Sequence, residues 1–162
     1  MRPGVLLMAL TWVICGAGRG VGKTHLALSL CRVLPRALYA KLGHGPARPD
    51  RPENFFTRPE DLAAFVASHE EAHDHVVVEA NTWALERRGD VVIYLEGAEG
   101  RTGMRQDRET LRGLADIRID PGAAPERWES VLGRHLPDPA LREEVRRRLL
   151  DQARHLSGRG PS

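Results

Sequence analysis

A glycine-rich segment between two apolar runs is the strongest constraint on the fold of this chain. The segment is Ala17-Gly18-Arg19-Gly20-Val21-Gly22-Lys23-Thr24. The run before it (11–15) is rich in β-branched residues and predicts a buried parallel strand. The run after it (25–34) has leucines at helical spacing and predicts an amphipathic helix. A strand, a glycine loop and a helix in this order predict a phosphate-binding loop, the Walker A motif.

Each residue type in this loop has a chemical task. Glycines permit the tight turn that points successive backbone N–H groups at a phosphate chain. Lys23 supplies an ammonium for the β- and γ-phosphates, and the Thr24 hydroxyl is a ligand for Mg²⁺, the predicted cofactor. The positive end of the following helix dipole favours the same anion. We therefore predict a nucleotide-binding segment made of Gly18, Arg19, Gly20, Val21, Gly22, Lys23, Thr24 and His25, with Ala17 in place of the usual first glycine.

Apolar periodicity along the rest of the chain predicts strands that alternate with helices. Strands are expected at 37–42, 75–79, 90–95 and 116–120, and helices at 59–72, 107–114, 125–135 and 139–156. This alternation predicts an α/β fold of the P-loop NTPase type, with a parallel sheet, helices on both faces and three layers. A length of 162 residues with 41% hydrophobic content predicts one domain spanning 1–162. Residues 1–10 are expected to be an N-terminal extension, and 157–162 a disordered tail.

Ligands of open parallel sheets gather at the carboxyl ends of the strands, and this rule selects the remaining site candidates. Glu79 ends a run of three valines, and a carboxylate at such a strand end can hold Mg²⁺ or orient an attacking water. The predicted catalytic residues are therefore Lys23 and Glu79. The predicted metal ligands are Thr24 and Glu79. Asp90 and Glu96 are alternatives for the carboxylate, and a helix-capping role is the structural alternative for Glu79.

Lysine usage singles out a second basic residue. Of 24 basic residues, only Lys23 and Lys41 are lysines, which leaves 22 arginines. A lysine is a compact charge that arginine does not replace in a tight anionic site, so Lys41 is a candidate for binding a second substrate. The other candidates for that role are His44, Arg101 and Arg105. A strand-end lysine and a solvated arginine loop are the alternatives.

Three further features limit the function. The stretch from His69 to His73 matches the H-E-x-x-H zinc motif, but its polar flanks and missing third ligand favour a polar helix end. A net charge of +2 predicts no nucleic-acid partner, and no run of the sequence reaches the ~18 apolar residues of a membrane span, which predicts no membrane partner. The two cysteines, Cys15 and Cys31, are expected to be free in a reducing cytoplasm.

Two segments resemble the molybdopterin-guanine dinucleotide biosynthesis protein B family (the MobB-like P-loop NTPases). The run from Asp74 to Glu79 resembles that family's acidic-ended strand, and Lys41-Leu42-Gly43-His44 resembles its Lys-His segment. Ala80 stands where the family has glycine, and Gly, Pro and Arg follow Lys41 in place of a His/Asp-rich stretch. The resemblance implies a GTP-binding accessory protein for attachment of GMP to molybdopterin. It also implies that the protein forms a homodimer, and that its partner is molybdopterin or another protein of cofactor biosynthesis.

The resulting hypothesis is a P-loop protein with slow triphosphate hydrolysis that assists molybdenum cofactor maturation. GTP and ATP both remain open from the residues, since the Asn-Lys-x-Asp guanine signature needs a lysine late in the chain and none follows Lys41. One alternative is a small-molecule kinase whose arginine loops form a lid over an anionic acceptor. The other is a non-catalytic binding module that uses nucleotide as a switch.

Overall fold

The computed structural model describes residues 8–16, 22–43, 54–86, 89–96, 108–120 and 125–158. Strands in these residues are β1 (Leu10–Gly16), β2 (Ala37–Leu42), β3 (Phe55–Phe56), β4 (His75–Glu79), β5 (Val91–Leu95) and β6 (Ile117–Ile119). Helices are α1 (Lys23–Val33), α2 (Pro59–His69), α3 (Asn81–Glu86), α4 (Arg108–Leu114), α5 (Glu126–His135) and α6 (Pro139–Gly158), with a 3₁₀ turn at Glu70–Ala72.

All strand pairs are parallel, and the six strands form one sheet in the order β3-β2-β4-β1-β5-β6. The predicted α/β class, with a parallel sheet between two helix layers, is confirmed. Two short elements, β3 and α3, were not predicted from the sequence. Helix α2 ends at His69, three residues before the predicted end, because the chain tightens into the 3₁₀ turn.

Alternating side chains of the strands form two separate cores, one on each face of the sheet. The first face, which we call the α1 face, packs Trp12, Ile14 and Val77 against α1, α5 and α6. The opposite α2 face packs Val13, Cys15 and other strand residues against α2, α3 and α4. Both cores exclude water from the central strands, which explains why β1, β4 and β5 are near-continuous apolar runs.

Strand register aligns the carboxyl ends of β1, β2 and β4 at one edge of the sheet. Glu79, the last residue of β4, pairs with Ile14 of β1 on one side and with Lys41 of β2 on the other. Strand β1 ends at Gly16 at this edge, and α1, which begins at Lys23, packs on the sheet and precedes β2. The fold therefore brings the ends of β1, β2 and β4 to the place where α1 begins.

The chain ends differ from their expected bounds. Leu10 belongs to β1 and Ala9 is buried, although both lie in the expected N-terminal extension. Helix α6 continues to Gly158, two residues into the expected tail. Among the described residues, none of the helices has the length and apolar character needed to span a bilayer.

Candidate functional site

Helix α1 begins at a left-handed glycine. Gly22 has φ 94°, and its carbonyl accepts the first helical hydrogen bond from Leu26 N–H at 3.0 Å. A Cβ at this position would also collide with the side-chain amide of Gln152 on α6. The positive backbone angle therefore favours glycine here, and any side chain would also have to displace the end of Gln152. The N-cap residue is a glycine and therefore has no side chain with which to cap this helix end.

The Glu79 carboxylate, with a side chain only 5% exposed, is the centre of a polar cluster at this edge. The Thr24 hydroxyl lies 2.7 Å from Oε1 and 2.9 Å from Oε2. The Tyr39 hydroxyl donates to Oε2 at 2.7 Å. Lys41 Nζ lies 3.3 Å from Oε1 and donates to Thr24 Oγ1 at 3.2 Å. One buried carboxylate thus collects three donors, which we call the Glu79 cluster.

Strand periodicity explains why these side chains meet. Tyr39 and Lys41 lie two residues apart on β2, so both point to the α1 face. Glu79 follows Val77 by two residues on the neighbouring β4 and points to the same face. Thr24 lies in the first turn of α1, which covers that face. The cluster therefore follows from the order of the strands and from the alternating direction of their side chains, and it requires no unusual backbone conformation.

Burial controls the charge state of the tyrosine. Desolvation is the main cause that raises the pKa of Tyr39 above its ordinary value, and the hydrogen bond to Glu79 and the charge of that carboxylate raise this pKa further. The raised pKa favours the protonated phenol, which donates to Glu79. The Lys41 side chain is 35% exposed, so its ammonium forms the solvent-facing side of the cluster.

An asparagine fixes the end of β1 just before the glycine segment. Asn81 Oδ1 accepts the backbone N–H of Gly16 at 2.9 Å, and its Nδ2 donates to the Gly16 carbonyl at 3.3 Å. Ala80 N–H donates to the carbonyl of Ile14 at 3.1 Å. Because Asn81 is buried, these bonds are shielded from water. The exit of the chain from β1 is thereby tied to the end of β4.

The sequence-predicted residues fall into three groups. Glu79, Thr24 and Lys41 lie together, and Gly22, Lys23 and His25 stand at the start of α1 beside them. The other predicted positions, Gly18, Arg19, Gly20, Val21, His44, Arg101 and Arg105, lie outside the described residues.

Neither alternative carboxylate belongs to the Glu79 cluster. Asp90 precedes β5 at the opposite, amino edge of the sheet, where its Oδ2 accepts the backbone N–H of Thr11 at 2.8 Å. Glu96 follows β5, and both of its oxygens accept from Nε of Arg112 at 2.9 Å. That contact raises the pKa of the Arg112 guanidinium and ties α4 to the end of β5. Glu79 is therefore the carboxylate that the fold brings to Thr24.

The two histidines of the zinc-like motif bond to the backbone. Nδ1 of His69 donates to the Phe65 carbonyl at 2.8 Å, and Nδ1 of His73 donates to the His69 carbonyl at 2.9 Å. Helix α2 ends at His69, so the pair does not share one helix face. In the described part of the chain, no group of three or more His, Cys, Asp or Glu side chains could hold a metal ion.

Sequence reasoning did not select Tyr39 or Asn81. A tyrosine in a strand is typical of core packing, and only the β2-β4 neighbourhood reveals its contact with Glu79. Asn81 follows Glu79 by two residues. A polar residue soon after a buried strand is the sequence signal that could have indicated its role. The contact of α6 with the start of α1, where the rings of His155 and His25 stack at 5.9 Å, also required the tertiary structure.

The donor set of the Glu79 cluster fits Mg²⁺. This ion takes oxygen ligands, and proteins usually supply one or two of them while phosphate oxygens and waters supply the rest. A hydroxyl carries one proton and two lone pairs. Thr24 directs its proton at Glu79, and its oxygen accepts from Lys41 Nζ at 3.2 Å, so the same oxygen is available as a ligand once the ammonium moves away. Thr24 and Glu79 would hold the ion, which would neutralise charge on bound phosphates.

No protein-family model matches the chain, and no curated protein matches it.

Proposed function

We propose that the chain binds a nucleoside triphosphate together with Mg²⁺ at the carboxyl edge of the sheet and hydrolyses it slowly. The triphosphate would lie along the glycine segment and the first N–H groups of α1. Lys23 would contact the β- and γ-phosphates, and Glu79 with Thr24 would hold the metal and orient water for in-line attack. A cytoplasmic location is part of this proposal, supported by the burial of Cys15 in the sheet and the partial burial of Cys31, as expected of small apolar side chains.

One observation carries the proposal: the hydroxyl of the residue after Lys23 hydrogen-bonds to a buried carboxylate that ends the neighbouring strand. Burying a charged carboxylate is costly, and a glycine-rich turn that bound no ligand would not require one at this place. The pairing of a loop hydroxyl with a strand-end carboxylate is the arrangement by which P-loop proteins hold Mg²⁺. The sequence motif and the fold thus support the same chemistry independently.

The choice of nucleotide and the biological role are supported by the family resemblance. GTP as the nucleotide, an accessory role in molybdopterin guanine dinucleotide formation, molybdopterin or a biosynthetic protein as partner, and a homodimer all belong to this part of the proposal. Lys41, which the resemblance assigns to the site, lies 3.2 Å from Thr24 Oγ1. This contact supports a site role for Lys41 with either nucleotide.

The test is a calorimetric titration of the protein with GTP and with ATP, each with Mg²⁺ and with a chelator. We expect saturable binding of at least one triphosphate, strengthened by Mg²⁺. The Lys23→Ala variant should bind neither nucleotide measurably, while its thermal unfolding stays like that of the parent, because Lys23 is half-buried at a helix start and outside both cores. Parent-like nucleotide affinity in Lys23→Ala would refute the phosphate-loop assignment.

A second candidate, a small-molecule kinase, is favoured by the position of Lys41. Its ammonium lies on the solvent-facing side of the Glu79 cluster and could receive an anionic acceptor next to the γ-phosphate. The two functions differ in product. Free phosphate released in the absence of any acceptor supports the hydrolase, whereas transfer of the γ-phosphoryl group to an added anionic metabolite supports the kinase.

A further inference from the structure

We propose that Tyr39 is a positioning residue that fixes the orientation of the Glu79 carboxylate for Mg²⁺ binding. This inference rests on the proposed function and names a residue that the phosphate-loop motif does not include. Tyr39 lies in the middle of β2, directly opposite Val77 of β4 and therefore diagonal to Glu79. A diagonal neighbour on a parallel pair is within reach of a tyrosine side chain. The phenol closes this gap with a 2.7 Å hydrogen bond to Oε2.

The three donors of the Glu79 cluster would keep or change their contacts in different ways when nucleotide and metal bind. Thr24 belongs to the phosphate loop, and its oxygen is the expected metal ligand. The Lys41 ammonium lies against Thr24 Oγ1 and Glu79 Oε1, where it meets the same oxygens that a cation would use. A cation at these oxygens repels the ammonium, so Lys41 must turn toward the phosphates. Tyr39 belongs neither to the phosphate loop nor to the solvent-facing side of the cluster, and its phenol contacts Glu79 and the Thr24 hydroxyl.

A carboxylate needs such a donor to hold one orientation. The terminal torsion of a glutamate side chain is broad and roughly two-fold, so the backbone alone does not fix the plane of its two oxygens. Metal ligands in proteins are oriented by hydrogen bonds from surrounding residues for the same reason. The bond from Tyr39 anchors Oε2, which also lies 2.9 Å from the Thr24 hydroxyl, while Oε1 contacts Thr24 and Lys41.

The chain provides a matched control for this role. It contains two tyrosines, and the second, Tyr94, is fully buried in β5 on the α2 face. Within the described residues, the Tyr94 hydroxyl has no hydrogen-bond partner. Tyr39→Phe and Tyr94→Phe each remove one hydroxyl from a strand tyrosine and keep the ring. Only the first of these changes touches the Glu79 cluster.

The experiment measures triphosphate binding and hydrolysis by parent, Tyr39→Phe and Tyr94→Phe as functions of Mg²⁺ concentration. For Tyr39→Phe we expect the Mg²⁺ concentration at half-maximal binding and turnover to rise about tenfold, the effect of losing one charge-assisted hydrogen bond. Nucleotide affinity in the presence of a chelator should not change, since the phosphate loop is intact. Tyr94→Phe should match the parent in every one of these measurements.

Two results would overturn the assignment of Tyr39 while the nucleotide site stands. One is a parent-like Mg²⁺ dependence in Tyr39→Phe. The other is an equal loss in both tyrosine variants, which would indicate a general effect on strand packing. If the parent itself binds no triphosphate at any Mg²⁺ concentration, the proposed function fails and the role of Tyr39 fails with it.

Discussion

Strand β4 carries a buried ionisable residue at each end, and the two ends have opposite character. His75 opens the strand and Glu79 closes it, and both point to the α1 face. Nδ1 of His75 accepts a hydrogen bond from the indole Nε1 of Trp12 at 3.1 Å, so the imidazole there is neutral. Glu79 collects donors from Thr24 and Tyr39 and a cation from Lys41. One end of the strand stabilises the fold, and the other assembles a charged site.

The acidic residues of the sheet show the same division. At the amino edge, Asp90 accepts the backbone N–H of Thr11 and Asp116 accepts that of Val92, each at 2.8 Å. These carboxylates satisfy backbone groups where strands begin. At the carboxyl edge, Glu79 and Glu96 contact side chains: Thr24 and Tyr39 donate to Glu79, and Arg112 donates to Glu96. The carboxylates at the amino edge thus serve the strand backbone, whereas the carboxyl edge is the one at which open α/β sheets bind ligands.

The largest expected effect tests the carboxyl end. Glu79→Gln keeps the shape of the side chain but removes its charge, which should matter most where charge develops in the transition state. We expect turnover to fall by about 10²-fold, with nucleotide affinity changed much less. Single-turnover hydrolysis and calorimetric binding separate the two quantities. Unchanged hydrolysis would remove Glu79 from the mechanism and leave it as a structural carboxylate like Asp90.

A smaller effect is expected at the solvent-facing side of the same cluster. Lys41→Arg preserves the charge but replaces a compact ammonium by a wide planar group. Arginine is the usual basic residue of this chain, which has 22 arginines and, besides Lys41, only Lys23 as a lysine. Ligand-dependent activity should fall by at least ~10-fold, about 1.4 kcal/mol of transition-state stabilisation. The melting temperature of the unliganded protein should not move. Parent-like activity with nucleotide and all candidate acceptors would mean that the lysine at this strand end has no specific role.

Sequence patterns predicted the long elements and not the short ones. The apolar runs of β1, β2, β4 and β5 and the helical stripes were sufficient to predict the parallel sheet. Strand β3 consists of two residues in a glycine- and proline-rich stretch, too short for any periodicity. It forms because Lys41 N–H donates to the Asn54 carbonyl and Gly43 N–H to that of Phe56. Such pairing depends on β2 being present, so local sequence cannot signal it.

The candidate site was predictable where one motif or one strand carried the signal. Lys23 and Thr24 come from the glycine segment, and Glu79 and Lys41 come from strand ends. The hydrogen bond from Tyr39 depends on β2 lying next to β4, which an alternation of strands and helices does not specify. The same holds for the approach of Gln152 to Gly22, since residues on α6 and α1 are far apart in the chain. Contacts between elements, and not the elements themselves, were the missing information.

The smallest expected effect tests the amino end of β4 and concerns stability. Burial lowers the pKa of His75 below its ordinary value of 6.5, and this outweighs the opposite influence of Asp74. The folded protein therefore holds His75 neutral, whereas the unfolded chain takes up a proton as the pH falls through 6.5. The contribution to stability is complete above that pH and is lost as the pH falls toward the lowered folded-state pKa.

The variant His75→Gln keeps an acceptor for the Trp12 indole but cannot titrate. Between about pH 7.5 and about pH 5.5, its free energy of unfolding should fall less steeply than that of the parent, by at most ~1.4 kcal/mol per pH unit for one proton. Urea unfolding at several pH values measures this slope for the parent and for His75→Gln. Triphosphate turnover should be unaffected, because His75 and Glu79 are separated by about 13 Å along the strand. A loss of turnover in His75→Gln without a loss of stability would mean that the two ends of β4 are not independent.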